Sequence, residues 1–335
     1  MGAPHGLSAT LAGGRRRRRA PRREAIVLLN DRLQPAAGAA ISALDRGFLY
    51  GDGLFETVRT YRGRPFGLEQ HLARLARSAR TFRIPFERDA GYWRSRITRL
   101  LRANALVDVD AAVRLTVSRG AGPLGLLPPP GLYPTTLLVA APLDRRLAMA
   151  QRRGVGVCFF PCRLVTATLP THKTLHYLPA VLGKILAARA RAFEALYLGA
   201  DDTVLEGTTS NVFVVRRGTV VTPPLHGILP GVTRRFLEAV VRHARIPFRE
   251  APIRRRALLA ADEVFLTAST IEVLPVVRVE RHRVGAGVPG PITRRLQEAY
   301  AQLVAATLAR GRTAHASPRS HPPPAGRAGA AQRKK

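Results

Sequence analysis

The sequence predicts an α+β chain with room for two domains. The 335 residues can bury a large core, and a hydrophobic content of 46% is ordinary for a globular protein. Short apolar runs joined by polar turns recur in both halves, and amphipathic helical runs stand among them. A break falls near Pro142–Met149. Residues 25–142 are therefore read as a small N-terminal domain, 143–150 as a linker and 151–309 as a larger domain. Residues 1–24 and 310–335 are basic, rich in Arg, Ala, Gly and Pro, and are expected to be disordered.

Ile26–Leu29 and Arg32–Gln34 flank the polar pair Asn30-Asp31 and predict a hairpin. The run from Asp45 to Thr57 carries Gly47, Gly51 and Gly53, which let the backbone take a tight path beside a ligand. Phe55–Tyr61 and Arg64–Leu68 predict a second hairpin around Arg62-Gly63. In Glu69–Phe82, Leu72, Leu75, Ala79 and Phe82 share one helical face. Tyr92–Leu106 predicts another helix. Ala112–Ser118 and Thr136–Ala141 predict strands, with a Gly/Pro-rich loop at Gly120–Pro134 between them.

The second half opens with the apolar strand Val155–Phe160. A helix follows at Leu178–Phe193, with Val181, Leu182, Ile185, Leu186 and Phe193 as its apolar stripe. Strands are predicted at Ala195–Leu198, Thr203–Leu205, Val212–Val215, Thr219–Thr222, Glu263–Thr267 and Val273–Val279. Helices are predicted at Val232–Ala244, within Pro252–Ala261 and at Pro291–Leu308. Gly231 before a helix start leaves N–H groups pointing outward, a ready anion site.

Composition excludes several classes. The longest apolar runs are far too short to span a membrane. Cys158 and Cys162 lie in one apolar run with no other Cys or clustered His, which argues against a disulfide framework or a zinc site. The net charge of +32 invites a nucleic-acid reading. Outside the two tails 40 basic residues still face 21 acidic ones. Those arginines are scattered and no aromatic stacking series accompanies them, so attraction of anionic substrates explains them as well.

Of 54 basic residues only four are lysine: Lys173, Lys184, Lys334 and Lys335. Arg replaces Lys wherever charge alone is needed. It cannot replace an amine that must lose its proton and attack a carbonyl. Lys184 sits mid-helix, where a solvated face is its expected place. Lys173 precedes that helix at a strand-to-helix junction and is the candidate for amine chemistry. Glu206 stands between an apolar strand and the small polar turn Gly207–Ser210. On the residues alone it is either a hairpin-edge carboxylate or a buried functional acid.

The motifs HKTL at His172–Leu175, LEGTTSNVF at Leu205–Phe213 and GILPGVTR at Gly227–Arg234 stand in order. Together they resemble the class IV pyridoxal-phosphate aminotransferases, a family that includes branched-chain and D-amino acid aminotransferases and aminodeoxychorismate lyase. The likeness covers about Ile26 to Leu308. It implies fold type IV: a small α/β domain, and a larger domain with a β-barrel-like sheet core. It places the site in the interdomain cleft and implies a homodimer that completes it.

The resemblance also implies roles for residues. Lys173 would bind pyridoxal 5′-phosphate covalently and then move the Cα proton. Glu206 would lie beside the pyridine nitrogen. Arg74, in the HLxRL pattern at His71–Leu75, would hold the phosphate with Val232, Thr233 and Ser269. Tyr50, Phe55, Arg119 and Thr270 fall on the substrate side. Ala121 stands where D-amino acid aminotransferases carry a histidine near that arginine. Three functions follow. The first is an aminotransferase for branched-chain or other hydrophobic amino acids, with D-amino acids next. The second is an aminodeoxychorismate lyase, since KTLH resembles the lyase's Lys-x-Leu-Asn pattern. The third is a polyanion-binding protein. The first is expected to be a cytoplasmic homodimer that binds small molecules, with no specific nucleic acid and no membrane.

Overall fold

The computed structural model describes residues 24–87, 89–160, 171–199 and 201–313. The expected disorder of the two ends falls almost wholly outside these residues, as does Cys162. The predicted tail at residue 310 does not begin there, since the last helix continues to Thr313.

β1 (Ile26–Leu29) and β2 (Arg32–Pro35) form the predicted hairpin. Its turn residues Asn30 and Asp31 adopt φ of 46° and 67°, a region that short polar side chains tolerate. The glycine-rich run is not a loop beside a ligand. It contains a short helix, α1 (Arg46–Tyr50), because Asp45 accepts a hydrogen bond from Gly47 N and Gly51 ends the turn at φ 67°. Gly47 and Gly53 permit close packing: a Cβ on Gly47 would lie 2.6 Å from Ser118 Cβ, and one on Gly53 2.7 Å from the Val117 carbonyl.

β3 (Gly53–Tyr61), β4 (Arg64–Pro65), β5 (Ala111–Ser118) and β6 (Thr135–Pro142) complete an antiparallel sheet ordered β2-β1-β6-β5-β3-β4. α2 (Leu68–Phe82) and α3 (Ala90–Ala103) pack with it around Trp93, Leu100 and Leu101. The helix predicted at Tyr92–Leu106 starts and stops earlier. Asp89 caps it through Tyr92 N at 2.6 Å, and Ala105 breaks it at φ 54°.

α4 (Leu147–Arg153) carries the chain to the second sheet. There follow β7 (Val155–Phe160), α5 (Leu178–Arg189), β8 (Glu194–Leu198), β9 (Thr203–Gly207), β10 (Asn211–Arg216) and β11 (Thr219–Thr222). Then come α6 (Val232–His243), β12 (Phe248–Glu250), β13 (Ile253–Arg254) and α7 (Arg255–Leu259). β14 (Glu263–Ala268), β15 (Glu272–Val279), β16 (His282–Arg283) and α8 (Pro291–Thr313) end the described chain.

Nine strands run in the order β12-β11-β10-β14-β15-β7-β8-β9-β13, and β16 pairs with β15. The sheet is mixed, with β7 parallel to both β15 and β8, and it curls into a half-barrel. It is buried on both faces, which is why its strands read as continuous apolar runs. Val212, Val214 and Leu266 enter one core. Phe213, Val215 and Phe265 enter the other, under α6 and α8, where the two Phe rings stack at 5.0 Å. The sheets meet through Glu272, which takes Arg59 at 3.2 Å and the Tyr61 hydroxyl at 2.5 Å.

Most of the apolar stripe predicted for α5 does not face the core. Val181, Leu182 and Ile185 are exposed, as is Leu178; Leu186 is half-buried against a core cluster, and Ala180, Gly183 and Ala187 are buried. Gly183 lets the helix lie close: a Cβ there would meet Thr208 Cγ2 at 2.4 Å. Among the described residues no helix is long and apolar enough to cross a membrane, and no His, Cys, Asp and Glu cluster could hold a metal ion.

Glu263 gives a test of the fold. Its buried carboxylate accepts from Ile292 N, Thr293 N and Thr293 Oγ1 at 3.0, 2.7 and 2.6 Å, which caps α8. Glu263→Ala would leave those donors unpaired and should cost about 2–4 kcal/mol. A urea midpoint that did not move would refute the capping role.

Candidate active site

A cavity of about 550 Å³ lies where the two sheets face each other. Its floor is set by backbone. Phe55 N donates to the Lys173 carbonyl and Leu175 N to the Gly53 carbonyl, both at 2.9 Å, so the segment ahead of α5 pairs with β3. The predicted junction thus holds on its helix side; residues 161–170 before it lie outside the described residues. This pairing aims Lys173 into the cavity. Its Nζ lies 3.5 Å from the Tyr177 hydroxyl and 4.4 Å from the centre of the Phe55 ring. Burial, and then the Arg74 charge, bring the amine down to about 8.

Glu206, at the end of β9, also borders the cavity. Leu229 N and Asn211 Nδ2 donate to it at 3.2 Å. Burial outweighs these partners and pushes the carboxyl up to about 8. It is therefore a buried carboxyl facing the cavity, not a solvated hairpin edge.

The anion end of the cavity joins both sheets. α6 begins after Gly231 with no side-chain cap, so the first N–H groups at Val232 and Thr233 lack a cap partner. A Cβ on residue 231 would lie 1.9 Å from Asn211 Oδ1, so the chain needs glycine there. Arg74 reaches across from α2 and donates to the Pro230 carbonyl at 2.9 Å. Ser269 and Thr270 border the cavity from the turn between β14 and β15.

Lys173, Glu206, Arg74, Val232, Thr233, Ser269, Thr270 and Phe55 all meet in this one cavity. Tyr50 and Arg119 do not. Arg119 is already engaged: Asp52 accepts from its Nε and one terminal nitrogen at 2.6 and 2.9 Å, and the Phe82 and Arg83 carbonyls accept from its terminal nitrogens. Tyr50 lies on α1 with its hydroxyl accepting from Gly125 N at 3.0 Å. Lys184 is also not a free surface charge. Its Nζ lies 3.0 Å from Glu194, a wholly buried carboxylate.

Residues 53–279, about two thirds of the chain, match the amino-transferase class IV family. The chain belongs to that family. It is 35% identical to a putative branched-chain-amino-acid aminotransferase of Methanocaldococcus jannaschii, over 83% of this chain and 96% of that protein. It is 32% identical to the D-alanine aminotransferase of Bacillus licheniformis, over 85% of this chain and 99% of the other. Among solved structures it resembles a hypothetical aminotransferase from Mycobacterium tuberculosis in its PLP-bound form. That match has a TM-score of 0.74 and 26% identity, and it covers 84% of this chain and 100% of the other.

Sequence reading missed several residues of this class IV aminotransferase. Arg114, on β5, borders the cavity with its guanidinium 3.5 Å from the Phe55 ring centre, and no carboxylate pairs with it among the described residues. Its only signal was its place on the alternating, half-buried face of β5, and it is one arginine among fifty. Tyr177 lies four residues past Lys173 and donates to the Thr208 carbonyl at 3.4 Å. Glu194 holds the turn after Glu206 through the Thr208 and Thr209 hydroxyls, Thr209 N and Ser210 Oγ. Glu56 grips Arg74 with both oxygens, at 2.7 and 2.6 Å. Long-range pairing of this kind leaves no local pattern.

The lowered Lys173 predicts a measurable reactivity. With a value near 8, roughly a quarter of Lys173 is free amine at pH 7.5, against about one part in a thousand for an ordinary lysine. Competitive acetylation read by mass spectrometry should show Lys173 labelling rise with a midpoint near pH 8. A midpoint above about 10 would place the amine in an ordinary aqueous setting.

Proposed function

We propose that this class IV aminotransferase moves an amino group between a branched-chain or other hydrophobic amino acid and a 2-oxo acid, using pyridoxal 5′-phosphate. One observation carries the reading: a partly deprotonated lysine and a raised carboxyl share one cavity with the open N-terminus of α6 and Arg74. The donor set fits the cofactor. An amine is at hand for an aldehyde, an acid for a ring nitrogen, and backbone N–H groups with a guanidinium for a phosphate.

Bound there, the cofactor supplies an aldehyde for a covalent link and a ring that draws electrons from the substrate Cα. The chain's own residues do the rest. Lys173 would provide the link and, when free, would carry the Cα proton on Nζ as base and then acid. Glu206 would share its proton with the ring nitrogen, and the resulting pair would keep that nitrogen charged. Arg74, Val232, Thr233 and Ser269 anchor the phosphate.

Phe55, Thr270 and Tyr177 bound the substrate side, and Arg114 offers a cation to a carboxylate. Arg119 is spent on Asp52, which favours the branched-chain reading over the D-amino acid one. Tyr50 is kept as a substrate-side residue only through a second copy, and Arg119, held by Asp52, is not kept. Phe48, Leu126 and Leu127 beside α1 and the stripe on α5 are exposed, and a homodimer would cover them.

Mixing the pyridoxal-phosphate-loaded protein with single amino acids tests this directly. L-leucine, L-isoleucine and L-valine should each convert the cofactor to its amine form, read by the loss of aldehyde-state absorbance. Conversion by D-alanine alone would reverse the substrate assignment. Release of pyruvate from aminodeoxychorismate, with no 2-oxo acid present, would identify the lyase instead.

Glu206→Gln separates binding from chemistry. The phosphate anchors are untouched, so cofactor content should hold, while the neutral amide cannot keep the ring nitrogen charged. kcat should fall by several orders of magnitude. Near-normal turnover would return Glu206 to a structural carboxylate.

A further inference from the structure

Behind the anion end of the cavity lies a buried chain of hydrogen bonds that crosses from the first sheet to the second. Glu56, on β3, is 1% exposed, and His71, on α2, is 2% exposed. His71 Nδ1 lies 2.7 Å from Glu56 Oε2, and His71 Nε2 lies 3.2 Å from Ser269 Oγ. Arg74 holds the same carboxylate through Nε and a terminal nitrogen.

Donor counting restricts this chain. Burial opposes the charge on Glu56, but Arg74 and His71 bring its carboxyl down to about 2, so it only accepts. Nδ1 of His71 must then carry a proton. The His71–Ser269 contact can be made in two ways. With neutral His71, Nε2 accepts the Ser269 hydroxyl hydrogen. With protonated His71, Nε2 donates to the Ser269 oxygen and the hydroxyl hydrogen is free to point into the cavity. A phosphate dianion accepts hydrogen bonds and donates none. Only the second arrangement lets Ser269 serve it as a donor and keep its hydrogen bond to His71.

Charge counting agrees. Arg74 is matched by Glu56, so the pair brings little net charge to a dianion. The groups facing His71 are Glu56 from β3, Arg74 from its own helix, Ser269 from the β14–β15 turn, and Lys173 from the segment before α5. Without an anion, burial holds the His71 imidazole below its ordinary value, and Arg74 and Lys173 add to this against the pull of Glu56. An arriving dianion reverses the local balance.

We propose that His71 is a positioning residue for the phosphate group, and that it takes up a proton when the phosphate binds and thereby turns the Ser269 hydroxyl toward it. This rests on the pyridoxal-phosphate reading of the cavity and extends it to the residue that switches the anchor.

The test uses the full chain labelled with ¹⁵N-histidine. His71→Gln assigns the His71 ring signals. Ser269→Ala, which leaves the bond to Glu56 intact, assigns them independently should His71→Gln fail to fold. At pH 7.5 the ring should show one protonated nitrogen in the free protein and two after addition of pyridoxal 5′-phosphate, or of sulfate, a dianion that does not titrate in this range. His71→Gln should weaken pyridoxal 5′-phosphate on the order of tenfold and leave pyridoxal, which lacks the phosphate, unchanged. A single-tautomer neutral His71 in the loaded protein would overturn the proton uptake while leaving the cofactor reading in place. Equal loss of both ligands in His71→Gln would do the same. Failure of pyridoxal 5′-phosphate to bind at all would sink both.

Discussion

Two backbone hydrogen bonds hold this active site together. They tie the Lys173–Leu175 segment to β3, so the reactive amine is borne by a strand-like bridge between the sheets and not by a free loop. Everything that tunes Lys173 depends on that placement. The bridge sets the amine beside Phe55 and Tyr177, which dry its surroundings, and within the field of Arg74. A lysine on a mobile segment would find water and keep its charge. Close packing protects the bridge: Gly53 can approach Leu175 and Val117 only because it lacks a side chain.

The cavity also shows how burial sorts carboxylates by their partners. Glu56 and Glu206 are both enclosed, yet they end at opposite extremes. Glu56 meets a guanidinium and an imidazole and stays an anion at about 2. Glu206 meets an amide nitrogen and a backbone N–H, too little to offset desolvation, and stands at about 8. The first is a counter-ion that aims Arg74. The second holds a raised carboxyl against the cavity.

The scarcity of lysine has two explanations in the fold, one for each interior lysine. Lys173 is a buried amine in the cavity, lowered to about 8. Lys184 supplies a compact charge that reaches both Glu194 Oε1 and the Phe193 carbonyl at 3.0 Å. Glu194 in turn gathers the Thr208–Ser210 turn, which carries the cavity wall next to Glu206. Scarcity pointed to both lysines alike and did not separate a cavity-facing amine from one that pairs with a buried carboxylate.

The sequence by itself determined the elements and the order of the site motifs. Periodicity and turn residues placed α2, α6, α8 and the hairpins to within a few residues, because local hydrogen bonding and burial pattern leave a local trace. HLxRL, HKTL, LEGTTSNVF and GILPGVTR were enough to bring Arg74, Lys173, Glu206 and the α6 N-terminus into one expected site. Tertiary structure alone decided which charges are free to act. Arg74, Arg114 and Arg119 look alike in the sequence, but Asp52 engages Arg119, Glu56 aims Arg74, and Arg114 faces the cavity with no paired acid among the described residues. It also decided that α5 buries its small residues and turns its large apolar ones outward, since Gly183 must pass close to Thr208. The pairs that settle these questions join residues 18 to 67 positions apart. Their energies come from desolvation and charge at contact distance, which no local pattern of residues records.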